Sequence, residues 1–304
     1  VQTCALPIFL ALSAGGTIPD KGLYPVYLKD GTRLGELEEE FVFEARVGDK
    51  FLLGAFAWRF AEILRDRVVV TPTSPEGAQP PFWKGDSQGR AYPTSLRFGA
   101  LQRALFCQQQ SGRLLPALQA LRLDDPAARN AARHLERQIE VTGCLPDDRT
   151  ILVEHFADEA GEHQIMVHSV FGRRVNYALS LLLQRAAAQA AGVDVRAFED
   201  DDGILLYAIG THALPDGLLQ CLNPEGIEGR LRAMLPATPL FFMNFRYNAA
   251  RALMMGARSG KRLPLWIQRM RGAETLSAVA DRWEHPLMAE TLRECMEDYL
   301  DLAA

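Results

Sequence analysis

"QIMVHSVFGRRVNYALSLLL", residues Gln164–Leu183, holds the change of period on which the fold turns. The apolar run before Ser169 reads as a strand, and the Ala-, Leu- and Gln-rich segment from Arg174 to Ala191 reads as a helix that stops at Gly192. Gly172 permits a tight turn between them. Two arginines then stand where a helix exposes free amides and the positive end of its dipole, a place that favours an anion. Cations are unfavourable there by ~0.3–1 kcal/mol, so Arg173 and Arg174 need compensation. A bound phosphate would supply it, and so would the chain's own acidic runs "ELEEE" (Glu36–Glu40) or "EDDD" (Glu199–Asp202). Both readings stand at this level.

Working outward, "RTILVEHF" and "EHQIMVHSV" form a strand pair linked by "ADEAGE", and "VDVRAFEDDDGILLYAIG" forms a second hairpin with "DDG" as its turn. Helical periodicity covers Thr94–Gln110 and Pro126–Val141, the latter capped by Asp124 or Asp125. From Pro224 onward the pattern is mostly helical. Toward the N-terminus, residues 22–71 alternate at period two in "YPVYL", "FVFEA", "KFLLG", "WRF" and "RVVVTP", which predicts short strands in a strongly bent sheet or barrel. "TSPEGAQPPFWKGDSQGR" (Thr73–Arg90) has too much Pro and Gly for either element and reads as a loop. The expected fold class is α+β: a small β-barrel over residues 22–88, then an α+β domain over 89–304 with a mostly helical C-terminal bundle.

Composition narrows the class. The chain has 304 residues, 48% apolar and 23% charged, as an ordered globular protein has, and no apolar run reaches the roughly 18–20 residues of a membrane span. Five cysteines without a C-x-x-C spacing point to reduced thiols rather than a zinc site or a disulfide framework. A cytoplasmic protein is expected. The net charge of −5 conceals a segregation: Gly229–Ala273 contains nine Lys and Arg residues and no Asp or Glu, so the remainder carries −5 − 9 = −14. Forty-five residues of that kind, with Phe241, Phe242, Phe245, Tyr247 and Trp266 interleaved, suit a polyanion; a solvated set of helix faces is the competing explanation.

Catalytic signals are weak. "GARSGKRLP" (Gly256–Pro264) fails as a phosphate cradle, because three residues rather than four separate its glycines and Arg262 replaces the metal-binding hydroxyl. His155 and His163 lack the spacing of a helical zinc pair, and His168 reads as a hydrogen-bonded structural histidine. No nucleophile, base and orienter can be assembled, and no catalytic, metal or cofactor residue is expected. Aromatics beside cations are more informative. Trp58 precedes Arg59, and Trp83 precedes Lys84; a base stacked on such a ring contributes about 1–3 kcal/mol without selecting sequence. Barrel core is the alternative for Trp58.

Long segments then carry a resemblance. "SAGGTIPDKG", "LGELEEEFVFEARVGDKFLLGAFAWRF", "DRVVVTP" and "PPFWKGD" resemble the barrel-entry region of the large helicase-related (Lhr) family of superfamily 2 ATP-dependent DNA helicases. "HSVFGRRVNYALSLLL", "DDGILLY", "NFRYNAARALMM", "LPLWIQRMRGAETLSAV" and "RECMEDYLDL" resemble the DEAD/H-associated domain that follows it. The match runs in order from about Phe9. Two mild departures are Glu38, Glu39 and Glu40, where Asp–Glu–Glu is frequent, and Met254 and Met255, where Leu–Leu is frequent.

The resemblance implies the C-terminal part of a helicase that moves 3′ to 5′ on single-stranded DNA and serves DNA repair in a bacterial cytoplasm, associated with the nucleoid. Its RecA-like motor domains, with their ATP and Mg, would lie upstream, and no cofactor would bind here. Partners would be single-stranded or tailed DNA and the protein's own motor and winged-helix domains. Residues 9–21 would end the winged helix, with Ile18 a candidate apolar wedge. Position and chemistry together nominate Trp58 or Trp83 for base stacking, with the cation Lys84 beside Trp83, and Arg173, Arg174, Arg251, Arg258, Lys261, Arg262 and Arg269 for backbone contacts. The rival readings are a non-catalytic interaction scaffold and a base-excision enzyme. "VQTCALPI" (Val1–Ile8) matches the translation of a common sequencing-adapter end, so a natural start near Phe9 is expected, and "RECMEDYLDLAA" stops within an amphipathic pattern.

Overall fold

A computed structural model describes residues 23–76, 78, 89–158, 161–208, 213–223, 225–255, 265–302 and 304. The chain forms two compact units, one of residues 1–87 with 232–298 and the other of 88–231 with 299–304. The basic, acid-free stretch thus belongs mostly with the N-terminal sheet.

In the first unit, β1 (Leu23–Leu28), β2 (Arg33–Glu38), β3 (Lys50–Leu53), β4 (Phe56–Ile63) and β5 (Val68–Pro72) form a sheet in the order β2-β1-β5-β4-β3. The β1–β5 pair is parallel and the others antiparallel. Alternation places Tyr24, Val26, Phe51, Trp58, Phe60, Val68 and Val70 on the inner face. β2 and β3 remain as edges, so the expected barrel is an open, curled half-barrel.

One expected strand is a helix. "FVFEA" lies on α1 (Glu39–Glu44), where the adjacent Phe41 and Val42 are both buried against the sheet core. A strand would have turned one of them outward, whereas successive helical residues lie 100° apart and can share a buried side. Five residues are too few for periodicity to separate the two.

Among the described residues this unit also holds the helices α7 (Pro239–Arg251), α8 (Leu265–Val279) and α9 (Pro286–Glu294). Thr238 caps α7 by accepting the Phe241 N–H at 3.2 Å, and Pro239 stands in its first turn, where no amide is needed. Phe241 and Phe245 are fully buried, and Phe242 meets Phe43 of α1 edge-on, with centroids 5.7 Å apart.

The second unit has an antiparallel sheet in the order β6-β7-β9-β8: β6 (Leu152–Ala157), β7 (His163–His168), β8 (Val195–Glu199) and β9 (Gly203–Ala208). Helix α5 (Arg173–Ala191) packs Leu183 and Ala187 against Ile165, Val167, Ile204 and Leu206, and ends at Gly192 with φ 67°. Helices α2 (Tyr92–Gln110), α3 (Leu114–Ala120) and α4 (Asp125–Thr142) bury a smaller cluster around Leu105, Leu114, Leu118 and Ala128. Asp124 caps α4 by accepting the Ala127 N–H at 2.7 Å. A short helix, α6 (Ile227–Met234), contains the point where the chain passes back to the first unit.

Candidate nucleic-acid interface

The junction at Gly172 answers its own charge from within. Asp201, on the β8–β9 turn, accepts the N–H of Arg173 at 2.9 Å and that of Arg90 at 2.7 Å through the same oxygen. A carboxylate therefore occupies the α5 N-terminus, the place where a phosphate was one of two expectations. The Arg90 side chain donates to the carbonyls of Val170 (2.9 Å) and Asp201 (3.0 Å) and to Asp202 Oδ1 (2.6 Å). Asn176 ties the same turn together by donating to the carbonyls of Ser169 and Asp200, each at 2.8 Å. Gly172 has φ 93°, and a Cβ there would lie 2.3 Å from the Arg90 carbonyl oxygen. Only glycine fits this turn.

Both arginines of "GRR" also have partners in the unit. Arg173 Nε lies 3.7 Å from the buried Glu199 carboxylate, and Arg174 donates to the Leu300 carbonyl at 3.1 Å. In this structure they fasten the β8–β9 turn and the C-terminal segment.

In the first unit, Glu39 begins α1 and is 2% exposed. One of its oxygens receives Arg246 Nη2 of α7 at 2.9 Å and the other receives Arg269 Nε of α8 at 2.7 Å. Arg246 is 1% exposed and Arg269 8%, and the Arg269 guanidinium sits 3.8 Å from the centroid of the Tyr24 ring. Two cations face one carboxylate in a dry site, so the ring's negative face offsets part of the excess positive charge. Burial of Tyr24 pushes its phenol pKa upward, against a lowering influence from Arg269. Both arginines come from helices more than 200 residues along the chain from Glu39. Arg269, nominated as a backbone contact, takes part in this core ion pair.

Trp58 is 8% exposed in the sheet core, and its indole N–H donates to the Leu53 carbonyl at 3.3 Å. Both parts of its chemistry, apolar body and N–H, have partners within the unit, as the barrel-core alternative expects. The exposed ring beside it is Phe56, at 68% exposure and 6.2 Å from Trp58 between centroids. The sequence reading missed Phe56, although its place next to the "LLGA" turn marks it as a hairpin tip. Arg251 keeps an exposed guanidinium, 3.0 Å from Glu294, a carboxylate that also accepts from Asn248. Ile18, Trp83, Lys84, Arg258, Lys261 and Arg262 lie outside the described residues.

His155, His163 and His168 each have a partner. His168 bonds Glu154 at 2.5 Å, in agreement with its reading as a hydrogen-bonded residue, and His155 and His163 stack with centroids 5.4 Å apart. Among the described residues no group of His, Cys, Asp and Glu could hold a metal ion. Nor is any described helix long and apolar enough to cross a membrane.

Comparison with known proteins gives this scaffold its relatives. The DEAD/H associated family model matches residues 145–304, and the model of the large helicase-related protein winged helix domain matches residues 9–80, which takes in the whole half-barrel. The chain is 38% identical over 301 residues to the "Lhr helicase/ probable uracil glycosylase" of Mycolicibacterium smegmatis, covering 97% of this chain and 20% of that protein. It is 36% identical over 303 residues to the "Lhr helicase/uracil glycosylase" of Escherichia coli, with the same coverage of 97% and 20%. It is 30% identical to the "ATP-dependent helicase Lhr-Core" of Methanothermobacter thermautotrophicus over 94% of this chain and 34% of that one. The structure of Mycobacterium smegmatis helicase Lhr bound to ssDNA and AMP-PNP superposes with a TM-score of 0.71 at 29% identity, over 97% of this chain and 34% of that one. The chain spans about a fifth of the length of the first two relatives. Its motifs, its half-barrel and its α+β unit all agree with that assignment: the chain belongs to the large helicase-related (Lhr) family, as the part of it that carries the DEAD/H-associated region.

Proposed function

We propose that this chain is the accessory region of an ATP-dependent superfamily 2 helicase, gripping a single DNA strand that motor domains outside the chain move 3′ to 5′ with ATP and Mg, in the service of DNA repair. The observation that carries the proposal is the likeness, over 97% of the chain, to a helicase Lhr structure bound to ssDNA. The acid-free basic stretch from Gly229 to Ala273 supplies a physical reason for affinity, since cations near a polynucleotide release its counterions. Within this reading Arg251 and Phe56, together with Ile18, Trp83, Lys84, Arg258, Lys261 and Arg262, contact the strand. Trp58, Arg173, Arg174 and Arg269 hold the scaffold that presents them. Residues 9–21 end a winged helix, 22–88 supply the half-barrel module and 89–304 the DEAD/H-associated module.

Fluorescence anisotropy with a labelled oligothymidine at rising salt tests the proposal. Binding should weaken by a slope of roughly −0.7 in log K against log salt for each phosphate contact. Absence of binding even at low salt would favour an interaction scaffold instead. The base-excision reading is weaker on the geometry. Among the described buried acids, Glu39, Glu199 and Glu294 each face an arginine and Asp147 accepts the Arg149 N–H, so each is already engaged within the protein rather than turned toward a flipped base.

A further inference from the structure

The outer face of the half-barrel contains a charge arrangement that the fold itself does not answer. Lys50 of β3 lies directly opposite Arg59 of β4, and Arg59 lies directly opposite Thr71 of β5. Their sequence neighbours Phe51, Trp58, Phe60 and Val70 point into the core, so this row occupies the opposite face. Like charges directly opposite one another on a sheet are destabilising. Elsewhere in these two units the arginines considered above meet carboxylates or backbone carbonyls. Here neither cation meets a described carboxylate: Lys50 Nζ donates to the Glu76 carbonyl at 2.9 Å and approaches Ser74 Oγ at 3.5 Å, while Arg59 reaches the Thr73 hydroxyl at 3.5 Å. Neither cation forms an ion pair with a described residue.

We propose that Lys50 and Arg59 form a phosphate-binding pair, with the Thr73 and Ser74 hydroxyls as additional donors, for the backbone of a single nucleic-acid strand crossing the outer face of the sheet. The chemistry fits a phosphodiester better than an acidic side chain. A guanidinium fork, a point-charge ammonium and two hydroxyls present several donors of differing direction to one tetrahedral anion, whereas a single carboxylate is filled by the guanidinium alone. The repulsion within the pair is the stability cost of keeping both cations without an acid, and an arriving phosphate removes it. The inference rests on the strand-binding reading above and adds to it a site, on strands rather than on the basic helical segment.

The test uses the 304-residue chain, labelled oligothymidine and two double variants. K50Q/R59Q should bind about 25-fold more weakly at 0.1 M salt and lose about 1.4 from the magnitude of the salt slope, two contacts' worth at roughly 0.7 and ~5-fold each. Its thermal midpoint should stay or rise, because the like-charge repulsion has gone. K50R/R59K, which keeps both charges, should retain most of the binding. If the unsubstituted chain binds but K50Q/R59Q matches it in affinity and slope, the phosphate pair is refuted and the strand-binding reading survives. If the unsubstituted chain does not bind at all, both fall. Loss of binding in K50R/R59K as large as in K50Q/R59Q, or competition by polyglutamate equal to that by oligothymidine, would also overturn the assignment.

Discussion

The two units treat arginine in opposite ways. In the first, two guanidiniums, Arg246 and Arg269, converge on one carboxylate, Glu39, in a site closed to water. In the second, one guanidinium, Arg90, is surrounded by the carbonyls and carboxylates of a turn, with Asp201 shared between two backbone amides. The first arrangement stakes a large energy on a single acid, since a buried cation without its partner is far costlier than the pair is stabilising. The second spreads smaller hydrogen-bond contributions over many groups, each of the order of 1 kcal/mol. A dry cluster should therefore fail abruptly and a hydrogen-bonded turn gradually.

Glu39→Gln probes the abrupt case. It leaves two buried cations facing a neutral amide and should destabilise the first unit by ~3–5 kcal/mol, read from the urea midpoint at unchanged slope. A loss below about 1 kcal/mol would mean that the Tyr24 ring and water carry the charge, and the contrast between the units would disappear.

Asp201→Ala probes the gradual case. Two amides, one of them at the α5 N-terminus, lose their acceptor, with an expected cost of ~1–3 kcal/mol in the same measurement. Gly172→Ala should cost at least as much, because both the positive φ and the 2.3 Å approach to the Arg90 carbonyl must relax.

A further pair of substitutions separates scaffold from surface within the half-barrel. Trp58→Phe should cost ~1–3 kcal/mol through the stranded Leu53 carbonyl and lost volume, with oligothymidine affinity unchanged. Phe56→Ala should leave stability within ~0.5 kcal/mol and weaken binding by ~1–3 kcal/mol in an anisotropy titration. The reverse pattern would restore Trp58 as the stacking ring.

The smallest effects are titrations. Burial pushes the Cys295 thiol up to about 12, so the native protein should leave Cys295 unreacted with a thiol reagent at pH 8, while exposed Cys107 reacts. The raised Tyr24 phenol has a related consequence. A group whose folded pKa exceeds its unfolded value contributes stability that is fully present below the unfolded pKa, near 10 for tyrosine, and is lost as pH rises through the folded one. Ultraviolet titration above pH 10 should show one tyrosine ionising late, with a coincident fall in the urea midpoint.

Much of the second unit was legible because its signals are local. Asp124 before Pro126, the glycine after Ala191 and the "DDG" turn each act within a few residues, and the hairpins and helices fall where they point. The misread "FVFEA" shows where local signals run out: a six-residue helix that buries Phe41 and Val42 together in the sheet core follows its packing rather than the alternation of its sequence. The candidate site was less legible still. Composition exposed the basic stretch, but whether a given guanidinium faces water or Glu39 depends on a partner 207 or 230 residues away.

By itself, then, the sequence determined the element types, the family motifs and the excess of cations in the last quarter, since propensity, capping and charge are properties of neighbouring residues. Only the tertiary structure decided which cations remain available to a partner. Burial and ion pairing arise when segments distant in the chain are brought within a few ångströms, and no short-range pattern encodes that distance.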